Sequence, residues 1–166
     1  MVSQARRIEL RAVSTPRRTA SNTGAQNLRL NYLLDTNVCI ALINRTSAAV
    51  RSRSQRALSR GEQLCVSSVV TFELWYGVAK SVRRAHNTLQ LEAFLAGPVV
   101  LLPLEHEDSK VAGSIRAALQ ASGTPIGAYD YLIAGQALAR QLTLVTANVS
   151  EFSRVKGLSW QDWAKP

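Results

Sequence analysis

Three carboxylates in this chain each stand in a short motif at the border of an apolar run. Asp35 lies in Leu33-Leu34-Asp35-Thr36-Asn37, Glu73 in Val69-Val70-Thr71-Phe72-Glu73-Leu74, and Asp130 in Pro125-Ile126-Gly127-Ala128-Tyr129-Asp130. A fourth polar position, Asn148, follows the run Thr143-Leu144-Val145-Thr146. In an open α/β sheet such borders gather at one edge, where ligands bind. Carboxylates gathered there repel one another unless something cationic sits between them. Hard oxygen ligands of this kind suit Mg2+ or Mn2+, and the matching chemistry is metal-assisted hydrolysis of a phosphodiester. Taken singly, each residue has an ordinary explanation. Asp35 can cap a helix, Glu73 can reach solvent or pair with Lys80, Asp130 suits the first turn of a helix, and Asn148 suits a turn. Their joint placement at strand ends and helix starts is what points to a site.

The elements that would position them can be read along the chain. Tyr32-Leu33-Leu34 is a short apolar strand ended by Asp35, with Thr36 or Asn37 free to cap a helix through Ile43. A polar helix spans 48–59, a strand 63–66, and a helix begins at Ser67 or Ser68 with Val69, Phe72 and Tyr76 at helical spacing. Then come a helix over 85–96, a strand over 99–102, and a helix over 107–120. A helix over 128–140 and a strand over 142–146 follow, and 147–154 reads as a loop. Strands alternating with helices argue for a parallel sheet covered on both faces.

Composition sets the frame. The chain has 166 residues, 46% of them hydrophobic, enough for one domain with a substantial core. No apolar run reaches the ~20 residues of a membrane span, and no secretory signal is evident. Cys39 and Cys65 lie inside apolar runs, match no metal spacing, and read as small core residues in a reducing cytoplasm. The net charge of +9 is concentrated at the start, where residues 1–30 hold six arginines against the single acid Glu9. That segment reads as a disordered basic extension, leaving 31–166 as the folded domain. A shortened chain starting at Leu30 is expected to fold and act like the full chain. The phosphate-loop-like Gly77-Val78-Ala79-Lys80-Ser81 lacks the required glycine before lysine and lies in a helix.

Four segments together resemble the PIN-domain ribonucleases, in particular the VapC-type toxins of toxin–antitoxin pairs. They are residues 32–40, 66–77, 123–135 and 144–155, and the closing Gly157-Leu158 and Asp162-Trp163 also fit. The resemblance implies a three-layer α/β/α domain with a five-stranded parallel sheet, and a Mg2+- or Mn2+-dependent endoribonuclease. It puts Asp35, Glu73 and Asp130 on the acidic metal ligands, with Asn148 at a fourth catalytic position where relatives carry Asp or Asn. Thr36, Asn37 and Thr146 would orient the cluster from outside it. It further implies an RNA substrate, a cognate antitoxin protein, homodimer formation, a cytoplasmic location and no membrane. Ala118 departs from the family, which often has Glu there, and Asn148 is neutral. These two departures keep open a non-catalytic PIN-like module that binds RNA or a partner. Cleavage that needs Mn2+ would separate the enzyme from the module.

Overall fold

The computed structural model describes residues 31–165, so the basic extension read at residues 1–30 lies outside the described residues. Twelve elements follow one another among these residues: β1 (Asn31–Leu34), α1 (Thr36–Ile43), α2 (Ala48–Ser59), β2 (Gln63–Ser67), α3 (Ser68–Ala79), α4 (Arg84–Leu95), β3 (Val99–Leu102), α5 (His106–Ala121), α6 (Ala128–Ala139), β4 (Thr143–Val145), α7 (Val149–Phe152) and β5 (Trp160–Gln161). The five strands form one sheet in the order β3-β2-β1-β4-β5, and every pairing is parallel. Helices flank it to give the expected α/β/α layering.

Parallel strands covered on both faces read as continuous apolar runs, and the central strands obey. Leu33, Leu34, Val66, Leu144 and Val145 are fully buried. Register fixes the functional edge. Leu34 pairs with Val66 on one side and Val145 on the other. Asp35, Ser67 and Thr146 therefore all lie one step beyond these paired residues. Because β1 has β2 on one side and β4 on the other, the strand order reverses there, and a crevice opens outside the strand ends.

Local chemistry starts the helices where the sequence suggests. Ser67 accepts from the backbone N–H of Val69 at 3.1 Å, and Ser47 accepts from that of Val50 at 3.2 Å, both ordinary N-caps. Buried Val69, Val70, Leu74 and Val78 then fix α3 on the sheet. Between α5 and α6 the approach is close. A Cβ at Gly135 would come within 2.6 Å of the Ala112 side chain, so only glycine permits this packing.

Two departures from the sequence reading concern short elements. The segment read as a loop over 147–154 contains the single turn α7, anchored by fully buried Phe152. The amides of Glu151 and Phe152 donate to the Asn148 carbonyl at 3.3 and 3.2 Å. Residue patterns also locate only four strands. The fifth, β5, is two exposed residues long and carries no apolar run. Cys39 and Cys65 are both buried and free, as expected.

Candidate active site

Asp35 ends β1 and caps α1, and it is 5% exposed. Its Oδ1 accepts from the Thr36 backbone N–H at 2.7 Å and its Oδ2 from the Thr146 hydroxyl at 2.8 Å. Burial pushes its carboxyl above the usual range, the two hydrogen bonds oppose that shift, and the Glu73 charge adds to it. Glu73 stands on α3, and the Thr36 hydroxyl donates to its Oε2. One threonine thus ties the first two carboxylates together.

The tie continues through β4. Thr146 Oγ1 accepts from the backbone N–H of Asn148 at 2.9 Å, and the Asn148 side-chain amide donates to Asp130 Oδ2 over a long 3.4 Å. Asp130, in the first turn of α6, adjoins a carboxylate the sequence reading did not assign. Glu151 of α7 accepts from the Gly127 backbone N–H at 2.9 Å. Hydrogen bonding with Asp130 and with the Gly127 amide, and the charge of Arg154, hold the Glu151 carboxyl below its usual range. Asp130 moves the other way, to about 7. Burial is the main cause, followed by the hydrogen bond with Glu151 and the charges of Asp35, Glu151 and Glu73. Four carboxylates therefore share one edge and feel one another. Among the described residues none of the four is paired with a lysine or arginine.

The expected orienting groups divide. Thr36 and Thr146 each hold a carboxylate. Asn37 is exposed and makes no side-chain hydrogen bond to the cluster among the described residues. Asn148 offers its amide N–H to Asp130, while its own oxygen accepts from the Ser150 hydroxyl at 3.3 Å. Glu151 could have been noticed only by treating 147–154 as a helical turn, which would bring position 151 back over Gly127. Gly127 itself leaves the space. A Cβ there would lie 2.9 Å from Asp130 Oδ2 and 3.7 Å from Glu151 Oε2.

Donor chemistry at this edge fits a hard divalent cation, being all oxygen and net anionic. The described His, Cys, Asp and Glu side chains form no closed cage of three or more. Mg2+ does not need a closed protein cage, because it keeps several waters and takes few carboxylates plus substrate phosphate.

Comparison with known proteins places the fold in a family. The PIN domain family matches residues 32–158. The tRNA(fMet)-specific endonuclease VapC of Shigella flexneri is 40% identical over 135 residues, covering 81% of this chain and 99% of the relative. Ribonuclease VapC2 of Rickettsia felis is 34% identical over 134 residues, covering 81% and 98%. Among solved structures, VapBC2 from Rickettsia felis bound to a DNA fragment from its promoter superposes with a TM-score of 0.76 at 33% identity, covering 81% of this chain and 99% of that one. DNA-bound VapBC from Salmonella typhimurium gives 0.74 at 37% identity, covering 81% and 98%. The chain belongs to the PIN-domain family, in its VapC ribonuclease branch. Among the described residues no helix is long and apolar enough to cross a membrane.

Proposed function

We propose that this chain is the toxin of a toxin–antitoxin pair and cuts RNA with Mg2+ or Mn2+ bound at the edge formed by Asp35, Glu73, Asp130 and Glu151, through some of these carboxylates together with water and substrate phosphate. The observation that carries the reading is the continuous hydrogen-bonded chain Glu73–Thr36–Asp35–Thr146–Asn148–Asp130, with Glu151 against Asp130. Among the described residues no salt bridge neutralises its carboxylates, and Arg154 acts on Glu151 only from beyond salt-bridge distance. Such an ion, when bound, stabilises charge on the phosphodiester oxygens and makes water a usable nucleophile near neutral pH.

The residues do the rest. Thr36 and Thr146 lock the orientation of Asp35, so its carboxylate would face the cation without reorganisation. Thr36 holds Glu73 from the α3 side, and Gly127 holds Glu151 from the α6 side. Asn148 acts as a donor that fixes Asp130. Burial of Asp35 keeps bulk water away from one flank of the edge.

Two features support a protein partner. The VapC-like structures that superpose on this chain were solved as VapBC assemblies. A groove between α1, α3 and α4 has an apolar floor of Ile40, Ile43, Leu74 and Leu91 and a polar rim that includes Asn87, Gln90 and Glu73. An antitoxin segment seated there would lie against the carboxylate cluster. A homodimer and RNA as the natural substrate belong to the same proposal.

The test is cleavage of total RNA by the purified chain with Mn2+, with excess chelator, and with Asp35→Asn. Cutting that requires metal and Asp35 is the expected result. Cutting that survives either removal would sink the assignment.

A further inference from the structure

Phe72 and Tyr129 are large rings that this fold leaves in the open, at 52% and 45% exposure. They touch, with ring centroids 5.5 Å apart and planes at 64°. Each immediately precedes a carboxylate of the cluster, Phe72 before Glu73 and Tyr129 before Asp130. Successive helical residues point about 100° apart, so each ring lies on the flank of its helix next to the acid-bearing one, and the contact between the rings joins α3 to α6 near the end that carries Glu73 and Asp130. The protein also builds the same edge-to-face pair for its core. Tyr32 and Trp163 meet at 4.9 Å and 68°, but they are 7% and 3% exposed. Packing accounts for the second pair and not for the first.

Resting on the nuclease reading, we propose that Phe72 and Tyr129 form a stacking subsite for an unpaired nucleobase next to the scissile phosphate. In an edge-to-face pair, the ring that presents its edge keeps its own faces free to stack. The neighbouring carboxylates repel phosphate wherever no cation screens it. What the rings accept beside the cluster must therefore be flat and uncharged, which describes a base and not a backbone. Aromatic faces beside a phosphate-binding site are the usual means of holding single-stranded RNA. The exposed aromatic surface continues along α3 to Trp75 and Tyr76. There the Lys80 ammonium stands 5.0 Å over the Tyr76 ring, and a cation beyond an aromatic run suits an RNA strand leaving the site. The same surface could instead meet a second copy of this chain, and the test separates the two.

Binding would be measured on full-length Asp35→Asn protein with Mg2+, using a short unstructured single-stranded RNA and the same RNA carrying one abasic residue at the cleavage position. Tyr129→Leu and Phe72→Leu keep apolar bulk but lose the ring. Each is expected to weaken binding of the intact RNA about tenfold and to leave abasic RNA unaffected. Tyr129→Phe should bind like the parent. Equal binding of intact RNA by parent and Leu variants would overturn the proposal. So would no binding by the parent, or equal losses on both RNAs with a changed sedimentation mass, which would make the pair a contact between copies. Cleavage by the wild type is scored separately. If it cuts RNA and Tyr129→Leu cuts with unchanged KM, stacking fails and the nuclease stands. If it does not cut but base-dependent binding persists, the reverse holds.

Discussion

Asp108 and Asp35 are both withdrawn from solvent, at 2% and 5% exposure, yet only Asp108 faces a cation. Arg140 donates from Nε to its Oδ1 at 3.0 Å and from Nη2 to its Oδ2 at 2.6 Å, and the Gln136 amide adds a contact at 3.3 Å. Burial alone would raise the Asp108 carboxyl, but the Arg140 hydrogen bonds and charge outweigh it and hold it below the usual range. Asp35 and Asp130 have only threonine, asparagine and backbone donors and carboxylate neighbours, and both are raised. One cluster is complete and joins α5, α6 and the loop after β3. The other lacks its positive charge. A fold that can pair a buried acid in one place and does not in another leaves the second place open to the cation proposed above.

Substitution should break this contrast in opposite directions. Asp130→Asn is expected to reduce RNA cleavage by more than the roughly 10–100-fold typical of losing an outer hydrogen-bond partner at a metal site. Its metal-free stability should be unchanged or higher, because a repulsive charge is gone. Asp108→Ala should cost about 2 kcal/mol in urea unfolding, since it removes both carboxylate hydrogen bonds of the Arg140 guanidinium and leaves it only the Pro103 carbonyl and the more distant Glu105. Cleavage per folded molecule should be unaffected. A destabilised Asp130→Asn or an inactive, stable Asp108→Ala would contradict the comparison.

Acidity should separate the clusters next. Asp130 holds its proton to about pH 7 when folded and releases it near 4 when unfolded. Its contribution to metal-free stability is thus full below about pH 4 and lost as pH rises to about 7. Asp108 has the reverse sign. Its contribution is present above the unfolded pKa and is lost as pH falls through the lowered folded value. Melting curves across pH should show Asp130→Asn flattening the neutral arm and Asp108→Asn the acid arm. Saturating Mg2+ should raise the melting temperature of the wild type at neutral pH, by an amount equivalent to about 2.7 kcal/mol at a hundredfold excess over Kd. It should leave Asp130→Asn nearly unmoved.

The smallest effect is expected for Thr146→Val, which removes the hydroxyl that holds Asp35. A loss of roughly tenfold in kcat with KM little changed would mark an orienting role. A loss as large as that of Asp35→Asn would mean that Thr146 does more than position its neighbour.

Much of this was legible in the sequence because strong local signals coincide with the site. Leu33-Leu34 followed by Asp35 announces a buried strand and its end. Ser67 before Val69-Val70 announces the helix that carries Glu73. Glu151 was not legible. It lies in a polar stretch whose single helical turn is set by the burial of Phe152, a tertiary fact with no periodicity to reveal it. Asn148 was legible as a position, but not in its orientation, because an amide can present either a donor or an acceptor. β5 is too short for any pattern, and its pairing is dictated by β4 alone.

The hydrogen bond from Thr146 to Asp35 spans 111 residues of chain, and the strand that carries Thr146 enters the sheet beside the first. During synthesis, Asp35 and Glu73 leave the ribosome long before their third and fourth companions. Nothing can hold them at a common edge with those companions until β4 pairs with β1. A growing chain of this order is expected to stay chemically silent next to the ribosome's own RNA until the segment carrying Asp130, Thr146 and Asn148 has emerged and joined the first strand.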